Sequence, residues 1–271
     1  MKSLLLLLLA ITTAAAAPLD DLTKSTATFH GHTEHRFALG DGTPCKLVPP
    51  KNSAPGNPWV LRARFWGAFP KADIALLDRG YHLAYCDVGR LFGNATALDR
   101  WDRFYKTATT QLGLHKKVTV EGLSRGGLPT FLWASKNPEK IACLYADAPV
   151  CTVFSWPVET NAPDSGTVRD LLKAYNQPTV ESLRKNPPPM PVDKAVLKPL
   201  AEHKIPVLIV AGLADKVVPY EKNAAVVAAT YKSLGGTIKT ITKPGIGHHP
   251  HALDDPTPIV DFITSHTKTT P

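Results

Sequence analysis

The chain has 271 residues, of which 44% are hydrophobic and 20% are charged. This length suits one α/β domain, and the composition excludes a disordered chain. The formal net charge is +8, but the basic residues are dispersed, so we predict no nucleic-acid partner.

The first 17 residues have the pattern of a targeting segment. Lys2 precedes the apolar run Leu4–Ile11, and small residues continue to Ala17. This order predicts a secretory signal peptide with cleavage near Ala15 to Ala17. The run is shorter than the roughly 20 residues that span a membrane. We therefore expect a secreted or periplasmic protein without a membrane span, whose single domain covers residues 18–271.

The predicted elements begin with an antiparallel edge hairpin between residues 26 and 48, in which Asp41-Gly42 is the turn signal. Strands and helices then alternate, which predicts a mostly parallel sheet. The later strands are predicted at Trp59–Trp66, His82–Asp87, Lys117–Val120, Ile141–Ala146, Pro206–Ala211 and Ile238–Ile241. The helices are predicted at Ala72–Arg79, Leu98–Leu112, Leu128–Lys140, Glu221–Leu234 and Pro256–His266.

Four cysteines, Cys45, Cys86, Cys143 and Cys151, leave the disulfide pattern open. Export permits disulfides, and four cysteines allow three pairings. Cys86 and Cys143 lie in predicted strands, where a thiol is often a small buried hydrophobe. We expect at most one bridge, with Cys151 as the first candidate. No spacing matches a zinc site, so we predict no metal.

The most informative pattern is the pentapeptide Gly122-Leu123-Ser124-Arg125-Gly126, which follows a strand and precedes a helix. A serine at such a sharp turn has a strained backbone and an exposed hydroxyl. Small neighbours are needed there, and Gly122 and Gly126 provide them. The first helical amides lie beside the serine and can stabilise negative charge. This pattern favours Ser124 as a nucleophile.

A nucleophilic serine needs a base and a carboxylate that orients the base. Asp215 and His248 follow in that order, each just after a predicted strand. Asp147 also follows a strand and is the rival acid. His249 is the rival base, and His251 is a candidate for substrate contact.

On this elbow and this Ser–Asp–His order, the chain resembles an α/β-hydrolase. The resemblance implies helices on both faces of the sheet and a small cap, which we place at residues 151–196, where the strand–helix rhythm breaks. It also implies that the backbone amide of Arg125 forms half of the oxyanion hole. The other half would come from Trp66 or Ala68, at the end of the strand that begins at Trp59.

Shorter motifs resemble secreted, polysaccharide-active esterases, including pectin and uronate methylesterases. These motifs are Ser-Arg-Gly-Gly-Leu, Asp-Ala-Pro-Val, Trp-Pro and Gly-His-His-Pro-His. The resemblance implies a serine esterase without a cofactor that cleaves a uronate methyl ester through an acyl-enzyme. Substrate contacts would come from Arg125, Trp156, His249 and His251.

Three alternatives stay open at this point. An acetyl esterase acting on carbohydrate and a prolyl-type peptidase would use the same triad on the same fold. A non-enzymatic, exported glycan-binding protein would keep the fold without the chemistry. A covalent serine probe separates the last alternative from the first two.

Overall fold

The computed structural model describes residues 19–267, so the predicted signal peptide lies outside the described residues. Within this range nine strands form one sheet. In chain order they are β1 (Ser25–Phe29), β2 (His32–Ala38), β3 (Pro44–Val48), β4 (Trp59–Arg62), β5 (His82–Cys86), β6 (Val118–Leu123), β7 (Ile141–Asp147), β8 (Val207–Gly212) and β9 (Ile238–Lys243). Across the sheet the order is β1-β2-β3-β5-β4-β6-β7-β8-β9.

The sheet is antiparallel at one edge and parallel through the rest. β1, β2, β3 and β5 pair antiparallel in turn. From β5 through β4 to β9 every pairing is parallel. The carboxyl ends of β6, β7, β8 and β9 therefore lie along one edge, where ligands bind in open α/β sheets.

Helices cover both faces of the sheet. They are α1 (Leu19–Leu22), α2 (Lys71–Asp78), α3 (Ala95–Thr110), α4 (Gly127–Lys136), α5 (Gly166–Ala174), α6 (Val180–Lys185), α7 (Lys194–Glu202), α8 (Ala224–Ser233) and α9 (Thr257–His266). One apolar core lies between the sheet and α3, α4, α7 and α8, and a second lies under α2 and α9. Successive residues of β4 alternate between them, Leu61 in the first and Val60 in the second, as the two-residue period of a strand requires.

The expected α/β-hydrolase architecture is thus confirmed, with two differences in detail. The edge contains two hairpins, because His30 and Gly31 adopt φ of 46° and 81° and reverse the chain inside the predicted first strand. β4 ends at Arg62 rather than at Trp66. Beyond it, Phe65 and Gly67 have φ of 54° and 76°, which an extended strand cannot contain.

The predicted cap segment, residues 151–196, carries α5, α6 and the start of α7. Its apolar side chains form a third cluster with residues outside it. Leu171 and Leu183 of the cap pack with Leu128 of α4 and Val218 of the loop after β8. The segment is thereby attached to the helix that follows the elbow.

All four cysteines lie within the described residues, and all are buried free thiols. The bridge considered for Cys151 is therefore not present, and its thiol donates to the carbonyl of Pro149 at 3.4 Å. Cys45 and Cys86 are register partners across β3 and β5. Between residues 19 and 267, no helix is long and apolar enough to cross a membrane.

Candidate active site

Ser124 lies at the turn between β6 and α4, in the conformation that the sequence predicts. Its φ is +49°, which is strained for a residue with a side chain. A Cβ on Gly122 would lie 2.4 Å from the hydroxyl oxygen of Thr130, and one on Gly127 would lie 2.6 Å from Pro149 Cβ. Glycine is therefore required on both sides of the turn.

The structure brings Ser124, His248 and Asp215 into one hydrogen-bonded chain. The Ser124 hydroxyl lies 2.9 Å from His248 Nε2. His248 Nδ1 lies 2.7 Å from Asp215 Oδ2. The Ser124 residue is 7% exposed and Asp215 is 6% exposed. The arrangement is a nucleophile, a base and an orienting carboxylate in the geometry that acyl transfer needs.

Hydrogen bonds keep the Asp215 carboxylate ionised. The amides of Val217 and Val218 both donate to its Oδ1 at 2.8 Å. Burial alone would raise the pKa of Asp215, but the hydrogen bonds from His248 and from these amides outweigh it and lower the pKa below its usual value. The carboxylate is therefore charged at neutral pH and can stabilise an imidazolium on His248.

The loops after β8 and β9 meet through a glycine. A Cβ on Gly212 would lie 2.3 Å from the carbonyl oxygens of Ile246 and Gly247. The amide of Ala214 donates to the carbonyl of Ile246 at 2.9 Å. This close approach places the Asp215 loop against the loop that carries His248.

A second aspartate–histidine pair lies beside the first. Asp147 Oδ1 lies 2.6 Å from His251 Nδ1, and Asp147 Oδ2 accepts from the Ala252 amide at 2.8 Å. The hydroxyl of Tyr145 donates to the same Oδ2 at 3.1 Å. The rival acid Asp147 therefore orients His251, and it forms no hydrogen bond to His248 within the described chain.

The rival base His249 is exposed and does not reach Ser124. Its ring stacks on Phe69 with centroids 5.8 Å apart. Burial, together with the neighbouring His251 and His248, lowers the pKa of His249. This ring is at the rim of the site, where the sequence places a substrate contact.

Ser124 lines a cavity of about 220 Å³. The walls come from the loop after β4, the elbow, the cap and the loop after β9. The lining residues are Phe65, Ala68, Phe69, Ser124, Arg125, Trp156, Thr167, Val217, His248, His249 and His251. Every residue predicted to contact substrate therefore lines this cavity.

Arg125 contributes a half-buried guanidinium to the cavity. Its Cζ lies 5.5 Å from the ring centroid of Phe65 and 5.8 Å from that of Trp156. Burial, and then the positive charges of Arg64 and Arg90, lower the pKa of Arg125 to about 10. Among the described residues no carboxylate forms an ion pair with it. An anionic group in the cavity would supply the missing counter-charge.

The backbone amides expected to bind an oxyanion lie in different surroundings. The Arg125 amide lies at the start of the 3₁₀ turn Ser124–Gly126, where no earlier helical carbonyl accepts from it. The Ala68 amide instead donates to the Phe65 carbonyl at 3.0 Å, so it is engaged in a turn. The Trp66 indole donates to Glu34 at 2.6 Å, and this bond leaves the backbone amide of Trp66 as a predicted donor. The Phe65 amide is a further candidate donor, because Phe65 lines the cavity.

Sequence reasoning missed a buried charged cluster beneath the site. Arg62 forms ion pairs with Asp73 and with Glu121, the latter at 3.2 Å, and its guanidinium also donates to the Ala68 carbonyl. Arg62 is 0% exposed. Two features of the sequence could have indicated this cluster: an arginine at the end of a core strand and a glutamate just before the elbow.

Within the described residues, three histidines form a candidate metal-binding site. One ring nitrogen from each of His248, His249 and His251 lies within 4.8 Å of the other two. The sequence predicted no metal, because no spacing in it matches a zinc site. Imidazole nitrogens are ligands that Zn²⁺ prefers in proteins.

The fold and this geometry together define a serine hydrolase of the α/β-hydrolase class. The family model of the prolyl oligopeptidase family, Peptidase_S9, matches residues 73–269. The chain belongs to that family. The matched segment includes Ser124, Asp215 and His248.

Solved structures share the fold at low sequence identity. A puromycin-hydrolysing peptidase from Mycobacterium tuberculosis is 16% identical with a TM-score of 0.64, over 85% of this chain and 38% of that one. Dipeptidyl peptidase 4 from Porphyromonas gingivalis is 14% identical with a TM-score of 0.64, over 87% of this chain and 36% of that one. The chain thus spans little more than a third of these peptidases.

A structure of more similar length also matches. A lipase candidate from Acinetobacter baumannii is 16% identical with a TM-score of 0.58, over 85% of this chain and 89% of that one. A search of curated proteins finds no sequence relative of this chain. The comparisons support a serine hydrolase, and they do not support the polysaccharide-esterase subgroup that the short motifs suggested.

Proposed function

We propose that the chain cleaves amide bonds of short peptides through an acyl-enzyme on Ser124. The observation that carries this proposal is the peptidase family match, which spans all three members of the hydrogen-bonded chain. The prolyl-type peptidase, one of the alternatives open at the sequence level, thereby becomes the leading function.

The proposed mechanism follows from the geometry. Ser124 Oγ attacks the substrate carbonyl carbon while its proton moves to His248 Nε2, 2.9 Å away. Asp215 stabilises the imidazolium that forms. The amide of Arg125 donates to the developing oxyanion. His248 then protonates the leaving group, and a water molecule, activated by the same histidine, hydrolyses the acyl-enzyme.

The cavity limits which substrates fit. Its walls present the aromatic rings of Phe65, Phe69 and Trp156, which suit an apolar or proline-like side chain. A volume of about 220 Å³ accommodates one or two residues around the scissile bond. This favours a short peptide over a folded protein.

The first experiment compares proline and alanine aryl amides with matched aryl esters. We expect turnover of both classes, with proline amides preferred among the amides. Ser124→Ala is the control and should lose turnover and fluorophosphonate labelling. Labelling of wild-type protein with no amide turnover would leave a serine hydrolase that is not a peptidase. Absence of labelling would favour the non-catalytic glycan-binding alternative.

A second candidate substrate is favoured by the unpaired guanidinium of Arg125. An arginine binds a carboxylate through two parallel hydrogen bonds. A uronate methyl ester in a partly de-esterified polymer has carboxylates on neighbouring sugars. An ester hydrolase acting on such a polymer would use Arg125 for recognition, with contacts from Trp156, His249 and His251.

Methanol release from methyl-esterified pectin tests this candidate directly, against acetate release from an acetylated glycan. Arg125→Ala should reduce the rate on the pectin far more than on an aryl acetate if the side chain recognises a carboxylate. A similar loss of rate on the pectin and on the aryl acetate would mean that the Arg125 side chain supports the oxyanion instead. Arg79→Ala is the matched control, because Arg79 lies at the end of α2. Acetate release without methanol release would exclude the uronate substrate.

The proposed location is secreted or periplasmic, on the strength of the residues that precede Ala17. Exported peptidases and polysaccharide esterases both meet their substrates outside the cytoplasm. N-terminal sequencing of the protein recovered from its native host checks this. A mature N-terminus near residue 18 is expected, whereas an intact Lys2 in the recovered protein would contradict it.

A further inference from the structure

The rings of three histidines face one another at the cavity. The ring centroids of His248, His249 and His251 are 4.8 to 5.0 Å apart, and each pair meets edge to face. All three residues line the cavity that contains Ser124. The loop after β9 therefore presents three imidazoles to one small volume.

Two of these rings are oriented by buried carboxylates. His248 Nδ1 lies 2.7 Å from Asp215, and His251 Nδ1 lies 2.6 Å from Asp147. A carboxylate that accepts a hydrogen bond from Nδ1–H keeps the proton of the neutral ring on Nδ1 and the lone pair on Nε2. Metal-binding histidines typically have this second hydrogen bond, which fixes the ring and increases the basicity of its ligand nitrogen.

The third ring has room to move. His249 is exposed, and besides the other two histidines its ring contacts Phe69, on which it stacks. Rotation of its side chain therefore disturbs little of the core. The three ligand atoms, now within 4.8 Å of one another, must approach to bind at about 2.0–2.1 Å from a common ion. Rotation of the His249 side chain contributes to that approach.

We propose that His248, His249 and His251 bind one Zn²⁺ ion and that the bound ion inhibits the hydrolase. Imidazole ligands suit Zn²⁺ and neighbouring transition metals, and they do not suit Mg²⁺ or Ca²⁺. Three histidines leave a fourth tetrahedral position, which opens into the cavity and takes a water molecule.

Inhibition follows from the single lone pair on His248 Nε2. That nitrogen accepts the hydrogen bond of the Ser124 hydroxyl at 2.9 Å. When the same lone pair binds a metal ion, it cannot take the proton of Ser124. Inhibition therefore rests on the proposed role of His248 as the base, whereas metal binding does not.

Binding is tested by titrating Zn²⁺ into the Ser124→Ala protein in a calorimeter. We expect one ion per chain and no heat from Mg²⁺. In the same background, His249→Ala should weaken binding at least tenfold. Asp147→Asn should weaken it by roughly 10- to 100-fold, as loss of a carboxylate partner does at other metal sites. His203→Ala is the matched control, because His203 is exposed at the end of α7.

Inhibition is tested by the rate at which a fluorophosphonate labels the wild-type protein. This assay needs no natural substrate. Zn²⁺ should slow labelling and EDTA should restore it, and His249→Ala should need at least tenfold more Zn²⁺ for the same fractional slowing of its own zinc-free rate. Undiminished binding in His249→Ala, or undiminished labelling at saturating Zn²⁺, would overturn the proposal. If wild-type protein is not labelled even without Zn²⁺, the hydrolase function fails instead, and calorimetry alone decides the metal site. His249→Ala changes an exposed side chain, so it keeps the test valid if other variants misfold.

Discussion

At the scale of residues, two aspartate–histidine pairs lie side by side, but Ser124 contacts only one. The rings of His248 and His251 are 4.8 Å apart, and each has its own carboxylate. Hydrogen bonding to Ser124 distinguishes their roles. Asp215 acts on the base, whereas Asp147 acts on a ring of the cavity wall.

This difference predicts unequal effects of two matched substitutions. Asp215→Asn should reduce kcat by about 10⁴-fold, because the orienting carboxylate of a triad contributes on that order. Asp147→Asn should reduce kcat far less, since it disturbs His251 rather than the base. Steady-state kinetics on an aryl acetate measure both. Equal losses in the two variants would mean that the two pairs act as one unit.

At the scale of elements, β4 and β6 are joined by buried charges directly behind the elbow. Burial, and then the charge of Asp73, raise the pKa of Glu121 well above its usual value. Burial likewise raises the pKa of Asp73. One arginine cannot neutralise two carboxylates, so the pair keeps a proton. The cluster holds the loop after β4 through the bond from Arg62 to the Ala68 carbonyl.

Substitutions in this cluster should therefore differ sharply. Arg62→Met should reduce the free energy of unfolding by about 3–5 kcal/mol, because it leaves buried carboxyl groups without a counter-charge. Glu121→Gln should be tolerated, since glutamine resembles the protonated acid. A raised folded pKa means that wild type loses stability as pH rises above the usual glutamate value. Urea unfolding at pH 5 and pH 8 should show a smaller loss in Glu121→Gln, and an equal loss would contradict this account.

Strand β2, next to the edge of the sheet, contacts the loop after β4 through Glu34. Its carboxylate accepts from Arg36 Nε and Trp66 Nε1, both at 2.6 Å, and pairs with Lys46 at 3.2 Å. Burial alone would raise the pKa of Glu34, but these bonds lower it below its ordinary value of 4.5. The lowered pKa makes this carboxylate a source of stability that depends on pH.

Glu34→Gln should lower the free energy of unfolding by about 1–3 kcal/mol at pH 7, the usual cost of charged hydrogen bonds. In wild type this contribution is present above the unfolded pKa and is lost as pH falls through the lower folded pKa. The difference between wild type and Glu34→Gln should therefore shrink between pH 5 and pH 3. Chemical denaturation across that range measures it, and a constant difference would argue against an ionised Glu34.

At the scale of the whole molecule, the cap shares an apolar cluster with α4 and with loops outside the cap. Leu183 of α6 is 0% exposed and packs in the same cluster as Leu128, which follows the elbow. The cavity lies between these parts, since Trp156 and Thr167 of the cap line it opposite the triad. Because α4 also packs on the sheet, the cap is expected to unfold together with the rest of the domain.

Leu183→Ala should lower the free energy of unfolding of the whole chain by about 2–5 kcal/mol, as for other buried leucines. Far-ultraviolet circular dichroism and tryptophan fluorescence should give coincident transitions. Leu213→Ala is the matched control, because Leu213 is 47% exposed, and its effect should be small. Two separate transitions in Leu183→Ala would show that the cap unfolds on its own.

The sequence alone predicted the parts of this protein that local rules govern. The elbow around Ser124 follows from strand, turn and helix signals within about ten residues, and glycine is required there by steric contacts. The order of Asp215 and His248 followed from their positions after strands, because the carboxyl ends of parallel strands share one edge. The α/β class and most element boundaries followed from hydrophobic periodicity.

Tertiary structure decided what depends on contacts between distant segments. The pairing of Asp147 with His251 spans 104 residues, and nothing near either residue indicates it. The cluster of Arg62, Asp73 and Glu121 forms only when two strands and a helix pack together. The engagement of the Ala68 amide depends on the turn at Phe65, whose carbonyl accepts from it. Each of these features results from packing, and a linear pattern contains no information on which side chains packing will bring together.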